Sequence, residues 1–173
     1  MAALIPSTRQ EGAPDRPIAG LLGFFGVCYT VAGVGALSTV PSIPNWYAAL
    51  AKPSFNPPNW IFAPVWTALY GLMAIAAWLV WRTPKTGLRA ASRLSGLNFF
   101  SLQLLLNAVW TPVFFHYHWL LAALVVILCL WVAILFTTIQ FWKMERFAAV
   151  LLLPYLAWVG FAAALNYQIY RLN

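Results

Sequence analysis

The sequence predicts an all-α integral membrane bundle of five transmembrane helices, and two observations carry that prediction. Of the 173 residues, 63% are hydrophobic and only 8% are charged, with a mean hydropathy of +0.79. A soluble domain carries about 25% charged residues, so an ordinary soluble globule and intrinsic disorder are both excluded. The charges are also confined to a few places. None falls between Arg16 and Lys52, between Lys52 and Arg82, between Arg93 and Lys143, or between Arg146 and Arg171. A bilayer crossing takes about 20 apolar residues, and these gaps hold five: roughly 18–40, 60–81, 94–115, 120–141 and 147–170. A transmembrane β-barrel is excluded because runs such as Leu120–Leu128 do not alternate apolar with polar residues.

Residues 1–17, with Pro6, Ser7, Thr8, Gly12, Pro14 and Pro17, are expected to form a disordered tail. They are not expected to act as a signal peptide, because the apolar stretch behind them is of spanning length and lacks an A-x-A-like cleavage site. Span one carries Gly20, Gly23, Gly26, Gly33 and Gly35 with Ala32 and Ala36. In lipid such small residues let helices approach closely, either within one bundle or between two subunits. The loop 41–59 follows, holding Pro41, Pro44, Pro53, Pro57 and Pro58 among Trp46, Tyr47 and Phe55. Its prolines make it stiff and poor in backbone donors. It suits a lid over one mouth of the bundle, or an interfacial segment lying on the membrane.

The 49 residues separating Arg93 from Lys143 suit two crossings, with His116-Tyr117-His118-Trp119 as the turn between them. An odd number of spans puts the termini on opposite faces. Arg9, Arg16, Arg82, Lys85, Arg89, Arg93, Lys143 and Arg146 then share one side, and only Lys52 and Arg171 lie on the other. The positive-inside rule predicts a cytoplasmic N-terminus, an outward-facing Pro-rich loop and an outside C-terminus in a bacterial inner membrane. The net charge of +7 is thereby assigned to topology and lipid headgroups rather than to nucleic acid. Cys28 and Cys129 fall inside spans and are expected to be packing residues. Trp46, Trp60, Trp81, Trp119 and Trp142 stand at span ends, where indole suits the headgroup level.

Polar and aromatic residues inside the spans mark a candidate site. Gln103, Asn107, Trp110 and Thr111 share one face of span three, Trp158, Ala162 and Asn166 repeat every four residues in span five, and Trp66 and Tyr70 are four apart in span two. At about 1.5 Å rise per residue, Trp66, Asn107, Trp110 and Ala162 lie roughly 8–12 Å below the looped end. A buried amide in hydrocarbon needs a partner or a cavity. The pattern alone leaves two readings level: an aromatic-walled pocket, or interhelical packing with Asn107 bonded across helices. No span holds a carboxylate, so paired-carboxylate catalysis and hard-metal sites are not expected. His116 and His118, two apart and flanked by aromatics, could contact a haem iron, but the reading as interfacial turn residues is preferred.

The motifs Trp46-Tyr47-x4-Lys52-Pro53-x2-Asn56-Pro57-Pro58, Phe62-Ala63-Pro64-Val65-Trp66-Thr67-x2-Tyr70, Asn107-x2-Trp110-Thr111-Pro112-x-Phe114-Phe115 and Pro154-Tyr155-x2-Trp158-x6-Leu165-Asn166 resemble, in order, those of the translocator protein family. That family is also called the tryptophan-rich sensory proteins or peripheral-type benzodiazepine receptors. The resemblance covers about residues 33–171. It implies a homodimeric receptor or sensor that binds porphyrins and other hydrophobic ligands under the first loop, with a role in tetrapyrrole-linked regulation or stress response. Bacterial and mitochondrial outer membranes also occur in that family.

Carried over by motif, the ligand-binding residues are Trp46, Tyr47, Pro58, Phe62, Trp66, Asn107, Trp110, Trp158, Ala162 and Leu165. Trp66 and Trp158 match the tryptophans associated with light-dependent protoporphyrin breakdown, the alternative activity; transport of porphyrin or sterol-like ligands is a further one. A sterol-motif match, Leu165-x-Tyr167-x3-Arg171, is better explained as an interfacial Tyr and a snorkelling Arg. No cofactor is required beyond porphyrin as ligand. Two departures stand out: Ser54 and Phe55 replace residues that are often Trp in relatives, and Phe161 beside Ala162 is expected to narrow the pocket.

Overall fold

The computed structural model describes residues 17–83 and 88–173, and the side chains of all of these but 88–90. Most of the expected N-terminal tail, with Arg9 and Arg16, lies outside the described residues, as does Lys85. Among the described residues, five helices are long and apolar enough to cross a membrane: α1 (Pro17–Thr39), α2 (Phe62–Trp81), α3 (Leu88–Phe115), α4 (Leu120–Met144) and α5 (Arg146–Leu172). No strand occurs among the described residues.

The turns follow local chemistry. Pro17 opens α1, where a missing N–H costs nothing, and its carbonyl accepts the Trp78 indole N–H of α2 at 2.8 Å. Helix α3 ends at Phe115 because the Pro112 carbonyl accepts the N–H groups of both His116 and Tyr117 at 2.9 Å. The chain then reverses through His118, whose φ of 58° is left-handed, and α4 begins at Leu120. Between α4 and α5 a single extended residue suffices. Glu145 turns the chain, and its carboxylate caps α5 by accepting the Phe147 N–H at 3.4 Å.

Two boundaries differ from expectation. Helix α3 starts six residues before 94, because Arg93 and its neighbours extend the helix past the apolar stretch instead of breaking it. The loop is also more helical than its prolines suggest. Val40–Ser42 continues α1 as a 3₁₀ turn and Ile43–Tyr47 as a π-type turn. Pro41 and Pro44 each remove one donor, so the hydrogen-bond register shifts while the axis continues. Irregular chain runs from Leu50 to Pro58, and a 3₁₀ turn, Asn59–Ile61, leads into α2.

The helices close a ring in which α1 packs on α2 and α3, α3 on α4, α4 on α5, and α5 back on α2. Met73, Ala74, Ala76, Ala77, Val80, Phe141, Ala148, Ala149 and Leu152 are fully buried and fill the half of the ring away from the loop. Large apolar side chains point outward, including Val125, Leu128, Val132, Phe136 and Ile139 along α4, as a lipid-facing surface requires. Cys28 is buried in the core and Cys129 is exposed on α4; both are free.

The glycines of α1 divide by environment. Gly20 abuts the Trp81 ring and a Cβ on Gly35 would meet Thr111 at 3.4 Å, so these two serve packing inside the bundle. Gly23, Gly26 and Gly33 face open space. Trp81 is correspondingly an intramolecular packing residue, with Phe24 edge-on at 6.3 Å, rather than a free interfacial ring. Trp60, Trp119 and Trp142 are exposed.

A candidate ligand cavity under the loop

Above the packed half, the ring opens into a cavity of about 500 Å³ walled by α1, α2, α3, α5 and the loop; α4 contributes nothing to it. The volume lies within the range of about 300–1,000 Å³ usual for small-molecule sites. Eight of the ten residues predicted to bind ligand line it: Tyr47, Phe62, Trp66, Asn107, Trp110, Trp158, Ala162 and Leu165.

Tryptophans come from three directions. Trp66 on α2 sits 5.8 Å from Tyr70 and edge-on to Tyr155 at 6.2 Å. Trp158 on α5 lies edge-on to Phe62 at 5.9 Å. Trp110 on α3 stacks on Phe114 at 5.5 Å. Ala162, one turn beyond Trp158, supplies the space between them.

The polar groups are held in two short chains. Asn107 Nδ2 donates to Tyr155 Oη at 3.0 Å, tying α3 to α5. Trp110 Nε1 donates to Asn166 Oδ1 at 3.3 Å, and Asn166 Nδ2 donates in turn to the Leu120 carbonyl at 3.1 Å, where α4 begins. The two sequence-level readings of Asn107 therefore hold together, since it bonds across helices and also lines the cavity. Gln103, one turn deeper, is 1% exposed, and neither amide atom has a partner among the described residues. It does not line the cavity.

Trp46 and Pro58 are not among the lining residues. Trp46 packs edge-on against Phe114 at 5.5 Å and stacks on His118 at 4.0 Å, above the cavity roof. Pro58 is exposed beside the lining residue Asn59. Phe161 does not narrow the cavity either. It turns aside to contact Trp158 at 5.5 Å and Phe55 at 6.2 Å, so Phe55 meets α5 through Phe161. Tyr167 and Arg171 lie together on the exposed face of α5, the guanidinium 6.0 Å from the ring, away from the cavity.

The sequence reading did not pick out the α1 side of the cavity, lined by Tyr29, Ala32, Gly33, Gly35, Ala36 and Thr39 with Val40 of the following 3₁₀ turn. Its signal was present in the small residues, which leave a hollow where they do not meet another helix. Among the described residues no cluster of His, Cys, Asp or Glu could hold a metal ion.

A five-helix membrane bundle with an aromatic cavity beneath a proline-rich loop defines the class. Within it, the sequence profile of the TspO/MBR family matches residues 24–171, and this chain belongs to that family. It is 39% identical to the tryptophan-rich protein TspO of Chlorobaculum tepidum over 92% of this chain and 99% of that one. Protein CrtK of Rhodobacter capsulatus is 38% identical over 82% of this chain and 87% of its own. The human translocator protein is 40% identical over 75% of each chain.

Proposed function

We propose that this protein is a membrane receptor or sensor that binds porphyrins and other hydrophobic ligands in the cavity under the loop. The observation that carries this reading is the convergence of Trp66, Trp110 and Trp158 on one cavity of about 500 Å³ that also contains the Asn107 amide. Flat conjugated ligands stack on indole faces, and one amide gives a polar end a partner; mostly apolar walls with few polar groups are the usual make-up of a ligand site. The reading includes a role in tetrapyrrole-linked regulation or stress response, which membership of the TspO/MBR family supports.

In this reading the N-terminus is cytoplasmic in a bacterial inner membrane and the loop faces outward. Arg82, Arg93, Lys143 and Arg146 at the end opposite the loop support that orientation. The functional unit is a homodimer, and the open space beside Gly23 and Gly26 leaves a face of α1 available to a second copy.

Affinity for protoporphyrin tests the reading. Trp158→Leu and Asn107→Leu should each weaken binding about tenfold or more while the protein remains folded, the scale of one lost stacking or hydrogen-bonding partner in a closed site. Unchanged affinity in both variants contradicts the pocket.

A second reading has its own support. Trp66 and Trp158 face the same cavity from α2 and α5, so a bound porphyrin excited by light would have an indole electron donor on either side. Light-dependent loss of the porphyrin spectrum, with turnover and dependence on both tryptophans, supports this activity; a dark reaction rejects it.

A further inference from the structure

The loop is fastened at two points, and the residues that hold it, His118 and Asn173, line one small hollow between the α3–α4 turn and the end of α5. At the first, Trp46 lies flat on the His118 imidazole with ring centroids 4.0 Å apart and planes 14° apart, edge-on to Phe114 and Phe115. Ser42 Oγ donates to the Phe115 carbonyl at 2.6 Å beside it. At the second, the Ala51 N–H donates to Asn173 Oδ1 at 3.0 Å while Asn173 Nδ2 donates back to the Ala51 carbonyl at 3.1 Å. Phe55 also leans on Phe161 of α5. The span between the fasteners is itself stiffened: Tyr47 Oη donates to Asn56 Oδ1 at 2.9 Å, and Lys52 Nζ donates to the Ala48 and Leu50 carbonyls.

Three features separate the Trp46–His118 pair from ordinary core packing. His118 is exposed, so its ring is not needed to fill the bundle. Its φ of 58° is costly for a residue with a Cβ and suits glycine, yet this backbone is what sets the imidazole under the indole. Trp46, finally, is spent on this contact and not on the cavity wall.

We propose that Trp46 with His118, and Asn173 with Ala51, form a two-point latch that holds the loop shut, so that Trp46 and Asn173 set the rates of ligand entry and exit without touching the ligand. Trp46 is thus a positioning residue. The kinetic half of this proposal rests on the ligand-binding reading above; the latch itself does not.

The test uses the full chain in detergent or nanodiscs and two readouts. In the ligand-free protein, amide hydrogen exchange at Ala51 reports the loop's opening from a point that neither Trp46 nor His118 touches. Trp46→Ala and His118→Gly, the latter matched to the left-handed backbone, should speed Ala51 exchange roughly two- to tenfold, the range one aromatic pair contributes. Amides at Leu130–Ile134 in α4 should be unmoved, and Trp46→Phe should stay near wild type. Unchanged Ala51 exchange in both ring-removing variants overturns the latch.

The second readout is stopped-flow mixing with protoporphyrin. Association and dissociation rates should rise together in the same variants, with Kd nearly constant. A faster dissociation rate alone would make Trp46 a direct ligand contact and overturn the proposal. Faster exchange with unchanged ligand rates would overturn the gating role and place entry at the side, between α1 and α2. If protoporphyrin shows no saturable binding at all, the ligand reading fails, and the exchange experiment still decides the latch.

Discussion

The two halves of the bundle use the same residue types to opposite ends. Away from the loop, Ala74, Ala76 and Ala77 of α2 and Ala148 and Ala149 of α5 are fully buried, with Met73, Phe141 and Leu152 filling what they leave. Toward the loop, Ala162 and the α1 residues Ala32, Gly33 and Ala36 also keep side chains short, but nothing fills the space and a cavity results. Small residues in a membrane helix thus mark close approach only where larger neighbours close the gap. Helices in lipid gain no hydrophobic stabilisation from association and depend on van der Waals contact and hydrogen bonds. The packed half therefore supplies stability. The open half relies on its hydrogen-bonded chains, Asn107–Tyr155 and Trp110–Asn166–Leu120, to stay in place.

Substitutions that exchange the characters of the two halves sharpen this contrast. The largest effect is expected for Phe141→Ala, which removes a fully buried ring stacked on Phe100 at 6.2 Å. It should cost about 3–5 kcal/mol in reversible unfolding from mixed micelles, while the folded fraction retains its ligand affinity. Next comes the same substitution at two sites. Ala77→Leu overpacks the closed half and should cost about 1–3 kcal/mol. Ala162→Leu grows into the cavity, so its stability should change by less than about 1 kcal/mol while protoporphyrin affinity falls about tenfold or more.

The smallest pair differs in sign. Asn107→Leu removes a made interhelical hydrogen bond and should destabilise by about 0.5–1.5 kcal/mol. Gln103→Leu, one turn away, removes an amide with no partner on either atom among the described residues, so unfolding should show no loss or a modest gain in stability. If both variants were equally destabilised, the contrast between satisfied and unsatisfied polar groups would not hold.

Much of this was legible in the sequence because hydrocarbon leaves so few options. Uncharged stretches of about 20 residues have little choice but to become helices, and the α3–α4 turn fell where His116–Trp119 predicts it. The start of α3 was less legible, since Arg93 at a helix end resembles a loop residue in a charge count. The helical continuation through Tyr47 was hidden because Pro41 and Pro44 signal a break, yet they shift register instead.

Around the cavity, Trp66, Asn107, Trp110 and Ala162 were readable from three- and four-residue spacing at matched depth, and Trp158 from its four-residue spacing to Ala162. The α1 wall was not, because a stripe of glycine and alanine looks the same whether it meets a helix or a void. Nor does spacing reveal that Trp46 turns away to His118. That depends on the left-handed backbone at His118, a feature of the turn and not of any periodicity.

The central claim is that the open half is a binding site, and the most direct measurement is tryptophan fluorescence of the purified protein titrated with protoporphyrin in the dark. Saturable quenching that weakens in Trp66→Phe and Trp158→Phe is the predicted result. Quenching that grows linearly with porphyrin and is indifferent to both substitutions would mean partition into the micelle, and would contradict the cavity's role as the site.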